Sequence, residues 1–313
     1  KATLLAEHAA ISSISDAAGD AIVGEGSSHW LYRGLLPGYA ARLAGPTPGR
    51  QPLLVDFDLK HLHPVECDAG VGTPSEFFGE ELSADDMHGR SAHFDHYLAA
   101  TIAFGHAGYL PDLDDWGLEA VVKYYFMIQH LQTLYLGTPV SSILYHSAGQ
   151  LLETSEALVS GAYENSQLQI GYANGLILHV NGSWTTDWEI DIDGAMCRLA
   201  PGSFHAGGLE GAHAYSADLG NGRIDFARCD DYFYCDTRGQ TLETDGLTVN
   251  GAVLLRQDQW IIDVYPIDCQ TPITIEPSKL WPERRMPKLR VLAYQDDDDE
   301  PQVINANASD SVL

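Results

Sequence analysis

The hydrophobic period of the chain changes to two near Leu168, and this change constrains the fold more than any other feature. Leu168, Ile170 and Tyr172 alternate with polar or small residues, and the alternation recurs at 176–180. Asn-Gly dipeptides, which favour two-residue hairpin turns, begin at positions 174, 181, 221 and 250. Alternation interrupted by hairpin turns is typical of antiparallel strands. The sequence therefore predicts an all-β part, an antiparallel β-sandwich over residues 168–285.

The first 150 residues follow a different pattern, in which short apolar runs end in polar or glycine-containing loops. The runs lie at residues 21–23, 53–57 and 99–104. Apolar residues at helical spacing then follow from Leu118 to Gln132. A repeated order of strand, loop and helix is typical of α/β folds. We predict that residues 1–150 form the closing portion of a (β/α)8 barrel with three neighbouring parallel strands, although an open doubly wound sheet has the same local pattern.

The segments outside these two parts are predicted to be less structured. Residues 151–167 form a linker between the barrel portion and the sandwich. Residues 286–313 form a solvated acidic tail, because a run of five acidic residues lies at 296–300. The start at Lys1 lacks the basic, apolar and small-residue order of a signal peptide, so we expect a mature chain or a fragment.

The charge of the chain excludes several classes of partner. A formal net charge of -27 repels nucleic acid and anionic membranes, so neither is an expected partner. No run of about 18 apolar residues is present, which predicts no membrane span. The acidic balance, together with glycosylation acceptor patterns at Asn181 and Asn307, favours a secreted or cell-surface protein.

The cysteines and the common motifs narrow the chemistry. None of the five cysteines has the C-x-x-C spacing of a zinc site. Cys229 and Cys235 are close enough in sequence to bridge across a small loop, and we predict that they are bridged or close. The chain contains no nucleophile-elbow, phosphate-loop or dinucleotide-binding motif, which argues against serine hydrolases and nucleotide enzymes.

Three carboxylates at predicted strand ends are the catalytic candidates. Glu25 lies between two glycines after a short apolar run, and Asp56 and Asp58 end the second run. Glycoside cleavage needs one carboxylic acid to protonate the leaving oxygen and a second carboxylate to attack or to activate water. The structural alternatives are a solvated turn at Glu25 and, for the two aspartates, helix capping or pairing with Lys60 or Arg33.

Histidines and aromatic residues near these carboxylates are the candidates for substrate binding. Imidazoles can donate hydrogen bonds to sugar hydroxyls, and aromatic rings can pack on sugar C–H faces. The candidates are His29, Trp30, Tyr32, His61, His63, His106 and Tyr109. His61 and His63 could instead take a metal ion, the histidines could have a purely structural role, and any of the aromatic residues could belong to the core. The expected mechanism requires neither a metal nor a cofactor.

Several motifs together resemble one enzyme group. GEGSSHWLYRGLL, PLLVDFDLKHLHPV, YLAATIAFGHAGYL, YANGLILHVNGS and LAPGSFHA resemble the last barrel strands and adjoining β-sandwich of large secreted glycoside hydrolases. The nearest group is the endo-α-N-acetylgalactosaminidase-like barrels, and the resemblance covers residues 1–239. It implies that Glu25 lies at or near the acid/base position. It also implies that the nucleophile precedes Lys1, so an N-terminal half or a second chain would complete the barrel.

Two functional hypotheses follow. The first is a portion of a glycoside hydrolase that cleaves an O-glycan or polysaccharide by carboxylate acid/base catalysis and is inactive without its missing half. The second is a non-catalytic carbohydrate-binding or structural cell-surface protein derived from such a hydrolase. Carbohydrate is the expected partner under the first hypothesis and in the binding form of the second.

Overall fold

The structure is a computed structural model of the chain. It describes residues 48–55, 73–108, 110, 113–244, 246–258, 261–269 and 272–281, together with short pieces at 9–10, 13–14, 17, 24–25, 38–39, 291–293 and 302–304. The chain divides into two compact units, Lys1–Cys229 and Asp230–Leu313. Each unit has its own set of strands.

The helices of the first unit precede most of its strands. They are α1 (Pro74–Phe78), α2 (Ala84–Met87), α3 (Ala92–Phe104), α4 (Leu113–Trp116), α5 (Leu118–Tyr135) and α6 (Thr154–Ser160). Side chains cap the first three helices, and those of α1 and α2 form complete capping boxes. Single 3-10 turns lie at Pro48–Arg50 and Ala162–Asn165.

The strands of the first unit form a small parallel pair and a larger antiparallel sheet. The strands are β1 (Gly24–Glu25), β2 (Gly38–Tyr39), β3 (Val140–Ser147), β4 (Gln150–Glu153), β5 (Gln167–Tyr172), β6 (Ile177–Asn181), β7 (Trp188–Ile192), β8 (Ala195–Leu199), β9 (Ser203–Gly207), β10 (His213–Asp218) and β11 (Arg223–Arg228). β1 and β2 pair in parallel. The antiparallel sheet has the order β11-β10-β9-β6-β5-β3-β4, and the β7–β8 hairpin joins it at β10.

Helices α3 and α5 cover one face of this sheet, which is here called the inner face. Leu168 and Ile170 on β5 alternate with outward-facing residues and stand opposite Val180 and Leu178 on β6, and all four are fully buried. Period-two alternation thus directs one set of side chains into the core between sheet and helices.

Buried charges on the inner face are paired. Lys123 on α5 donates to Asp225 on β11 and to the carbonyl oxygen of Gly89, and its side chain is only 2% exposed. Ser216 on β10 donates a second hydrogen bond to Asp225. Arg223 donates to Ser216 and forms an ion pair with Asp95 on α3, at 3.0 Å between Nη1 and Oδ2. These bonds join both long helices to the sheet.

The second unit is built on long antiparallel strands. β12 (Tyr232–Thr244), β13 (Leu247–Asp258) and β14 (Ile261–Cys269) pair in sequence order, and β15 (Thr274–Ile275) pairs with β13. A short helix, α7 (Pro277–Leu280), follows. Farther along the chain, β16 (Val291–Ala293) and β17 (Gln302–Ile304) form an antiparallel pair.

The predicted (β/α)8 barrel portion is wrong. Residues 99–104, predicted to be a strand, lie in α3, and residues 53–55 are not in a strand. Among the described residues the only parallel pairing is the two-residue pair β1–β2. An apolar run of six residues fits a buried helix as well as a buried strand. Here the Ser91 cap and Gly105, whose left-handed φ of 68° ends the helix, decide for the helix.

The antiparallel strands predicted after Leu168 are confirmed, as is the helix predicted from Leu118. Antiparallel strands already begin at β3, before the predicted boundary. Of the Asn-Gly pairs, 174–175 and 221–222 lie between consecutive paired strands. The pair at 181–182 follows β6 into a longer connection, and Asn250-Gly251 lies inside β13. There Gly251 has a φ of 114° and abuts the Asp268 carbonyl so closely that a Cβ would overlap it.

Candidate functional site

Most of the predicted site residues lie outside the described part of the chain. They are His29, Trp30, Tyr32, Asp56, Asp58, His61, His63 and Tyr109. The backbone of Glu25 is described in β1, where it pairs with Tyr39 on β2. A common cleft for Glu25 and the two aspartates therefore stays a prediction.

His106 is the one predicted substrate-binding residue whose side chain is described. It follows the end of α3, and its ring stacks on Phe104 at 5.8 Å between centroids. The Tyr135 hydroxyl donates to its carbonyl oxygen at 2.8 Å. His106 is 1% exposed, so in this conformation it lies in the core between α3 and α5.

The outer face of the first unit's sheet carries an uncharged row of polar and aromatic side chains. Cross-strand pairing places one residue from each of five adjacent strands directly opposite the next. These residues, here called the outer row, are Gln169 (β5), His179 (β6), His205 (β9), Tyr215 (β10) and Phe226 (β11). The row thus crosses the strands, which are spaced by about 4.8 Å.

Rings are in contact along the outer row. The His179 and His205 centroids are 6.4 Å apart, His205 stacks on Tyr215 at 6.0 Å, and Tyr215 stacks on Phe226 at 4.9 Å. His179 Nε2 lies 3.1 Å from Gln169 Oε1. Because that oxygen is an acceptor, Nε2 carries the proton and His179 Nδ1 has a lone pair.

The β7–β8 hairpin adds apolar groups beside the row. Trp188 on β7 packs edge-on against His179 at 5.7 Å and stacks on His146 of β3 at 5.3 Å. His146 in turn contacts Gln167 Oε1 at 2.8 Å. Ile190 and Cys197 of the hairpin belong to the same buried apolar cluster as Trp188.

Two glycines border the row on its other side. Gly171 follows Gln169 by two residues on β5, and Gly207 follows His205 by two residues on β9, so both lie on the outer face. Neither has a side chain that would project over the sheet. Ile177 stands between them on β6, and the hydroxyl of Ser142, which pairs with Gly171 from β3, lies beside Gly171 on the same face.

Three buried polar atoms on the outer face have no hydrogen-bond partner among the described residues. They are His179 Nδ1, His205 Nδ1 and Ser203 Oγ. Ser203 precedes His205 by two residues on β9 and therefore lies on the same face. Buried polar atoms are nearly always hydrogen-bonded, so three neighbouring exceptions indicate the place of a ligand or of ordered water.

Burial keeps the two histidines neutral at pH 7. Burial, with a smaller contribution from the repulsion of His205, lowers the pKa of His179 to about 4. Burial and the neighbouring His213 lower the pKa of His205 to about 4, against a weaker opposing effect of Asp193. The outer row therefore offers neutral donors and acceptors, an amide and aromatic rings, and no formal charge.

Neither histidine of the row was among the residues singled out from the sequence. Each lies at the outward position of a strand with period-two alternation, which is a weak signal by itself. Their pairing depends on the register of β6 with β9, and these strands are separated in sequence by the β7–β8 hairpin. A hairpin turn fixes the register of the two strands that it joins, and no such turn joins β6 to β9.

Other features bear on the predicted compartment. Asn181 is fully buried, and its amide donates to the carbonyl oxygens of Thr186 and Leu199, both at 2.8 Å. A glycan on this residue is therefore incompatible with the fold. The structure contains no disulfide bond between Cys229 and Cys235, so the bridge, one of the two forms of that prediction, is not formed.

The part of the chain that the structure describes contains no group of three or more His, Cys, Asp or Glu side chains arranged to hold a metal ion. Within the same part, no helix combines the length and the apolar character needed to cross a bilayer. Comparisons of the chain with protein-family models, curated proteins and solved structures found no match.

Proposed function

We propose that the chain is a non-catalytic carbohydrate-binding protein and that the outer row is its binding site. The observation that carries this proposal is the group of three buried polar atoms without partners, at His179, His205 and Ser203, beside aromatic rings. These atoms are covered in this structure, so a bound sugar would supply their missing hydrogen bonds after the side chains above them move aside.

The chemistry of the row matches that of a neutral sugar. Sugar hydroxyls both donate and accept, so they can bond to an imidazole lone pair and to the Ser203 hydroxyl. The half-buried ring of Tyr215 offers apolar surface for sugar C–H groups. Polar groups at a few positions on a mostly apolar surface are typical of small-molecule sites. The net charge of -27 makes polyanionic glycans poorer ligands.

Hydrolysis needs groups that the outer row does not contain. Glycosidases use two carboxylates that flank the scissile bond, and none of the five row residues is acidic. The hydrolase hypothesis depends on Glu25, Asp56 and Asp58, and it stays a prediction. Binding at the outer row requires none of these three residues.

Calorimetric titration with neutral oligosaccharides at pH 7 tests the proposal. We expect saturable binding by the wild type. His205→Phe keeps a ring but removes both nitrogens, and should weaken binding roughly ten- to hundredfold, the effect of one or two lost hydrogen bonds. His88→Phe is the matched control, since His88 is half-exposed just after α2, and it should bind as the wild type does. No binding across the panel, or unchanged affinity in His205→Phe, would overturn the proposal.

A further inference from the structure

His96 on α3 has a hydrogen-bonding arrangement that its neutral form cannot satisfy. Its Nδ1 lies 2.7 Å from the carbonyl oxygen of Ala92, and its Nε2 lies 2.9 Å from the carbonyl oxygen of Ser183. A carbonyl oxygen only accepts, and a neutral imidazole has one N–H. The neutral ring therefore donates to one carbonyl and directs a lone pair at the other, whereas the imidazolium donates to both.

The face of the His96 ring is also occupied. It stacks on Trp184 with centroids 3.7 Å apart and planes 7° from parallel. Trp184 lies in residues 182–187, the loop between β6 and β7, and its Nε1 donates to the Gly49 carbonyl oxygen at 3.1 Å. A cation over an indole face is attracted by the ring quadrupole, so protonation strengthens this contact too.

Two charged groups act on His96 in opposite directions, and the Arg50 guanidinium lies over the same Trp184 ring at 5.6 Å. Asp95 on α3 favours the protonated ring, and Arg223 on β11, which pairs with Asp95, opposes it. Burial is the largest influence and lowers the pKa of His96 below its ordinary value of 6.5, while the two carbonyl contacts act in the opposite direction. Gly202 closes the remaining side, since a Cβ there would come within 2.9 Å of Nδ1.

We propose that the His96 ring connects α3 to the β6–β7 loop through contacts that depend on its protonation state, a connection here called the tie. At neutral pH the ring makes one of its two hydrogen bonds. In acid it makes both and stacks on Trp184 as a cation. Because the loop leads directly into Trp188, which packs on His146 and His179, the tie also determines how firmly Trp188 is held against the sheet.

Tryptophan fluorescence during a titration from pH 8 to pH 4 tests the tie, since a protonated imidazole in contact with indole quenches its emission. The difference between the wild type and Trp184→Phe isolates the Trp184 signal. We expect that signal to fall in one step below pH 6.5. His96→Gln should remove the step. His93 contacts the same indole edge-on at 5.6 Å, so His93→Gln is the control, and it should keep the step because His96 is the ring that causes it.

Nitrogen NMR of the imidazole rings in the wild type provides a second measurement that needs no variant to fold. Below the pH of the step, both His96 nitrogens should show the protonated shift. A Trp184 step that persists in His96→Gln would overturn the proposal. So would protonation of His96 in the wild type with no change in Trp184 emission.

Discussion

The two faces of the first unit's sheet differ in how they treat buried polar groups. On the inner face, the charged and hydroxyl groups of Lys123, Asp225 and Ser216 bond to one another between helix and strand. On the outer face, His179, His205 and Ser203 each keep a buried polar atom without a protein partner. We infer that Lys123, Asp225 and Ser216 serve stability, because they bond to one another, and that the three outer atoms serve a ligand, because they have no partner among the described residues.

The largest expected effect comes from breaking the inner pair. Lys123→Met leaves Asp225 charged and buried, because both side chains are at most 2% exposed. We expect this change to lower the free energy of unfolding by roughly 3–5 kcal/mol. Urea denaturation of the wild type and of Lys123→Met measures this difference in unfolding free energy.

A surface pair provides the control for that experiment. Lys279→Met removes the Lys279–Glu276 pair, in which Lys279 is 44% exposed, and should cost less than about 1 kcal/mol. The double variant Lys123→Met, Asp225→Leu should recover part of the loss. A cost for Lys123→Met as small as that of the surface control would contradict the division between the faces.

A smaller effect is expected from acidification of the outer face. The pKa of His179 and of His205 is about 4 in the folded protein, below the ordinary histidine pKa of 6.5. The unfolded chain therefore binds protons first as the pH falls. Stability should be complete above pH 6.5 and fall between pH 6.5 and pH 4 by up to about 3 kcal/mol for each imidazole.

Chemical denaturation at a series of pH values measures this slope. The double variant His179→Gln, His205→Gln should flatten it, and His88→Gln should not. An unchanged slope in the double variant would show that other groups are responsible for the acid sensitivity.

The smallest expected effects come from removing one serine hydroxyl on each face, and they compare the two faces most directly. Ser216→Ala removes the hydroxyl that donates to buried Asp225 and accepts from Arg223. We expect it to lower the free energy of unfolding by about 1–3 kcal/mol. Ser203→Ala removes a hydroxyl that has no partner in the described part of the chain, and should change stability by less than about 0.5 kcal/mol. Thermal unfolding of the two variants tests this difference. Equal losses of unfolding free energy in the two variants would contradict it.

The local sequence pattern was sufficient to predict those helices and strands whose ends and buried faces are both determined by nearby residues. The helix from Leu118 has helical apolar spacing and ends before Gly137, and the structure places α5 at Leu118–Tyr135. β5 and β6 combine alternation with a turn at Asn174, whose side-chain oxygen accepts from the Leu176 amide at 3.1 Å. In these segments period and turn chemistry agree.

Local pattern failed where burial or long-range pairing decided the outcome. α3 is buried from Tyr97 to Phe104, so its sequence lacks the polar stripe that distinguishes a helix from a buried strand. Asn250-Gly251 predicted a turn, but the glycine instead permits close approach of β14 to β13. The outer row could not be predicted, because it exists only once β6 pairs with β9.

The burial of Asn181 has a consequence for how the protein can be made. Its acceptor pattern is accessible only before folding, when a secretory host that attaches N-linked glycans could modify it. The folded protein instead encloses this amide between the carbonyl oxygens of Thr186 and Leu199. A chain glycosylated at Asn181 could not form these two hydrogen bonds or bury the end of β6. Expression in a host without N-glycosylation, or with Ser183→Ala to remove the acceptor pattern, therefore avoids a kinetic competition between the transferase and folding.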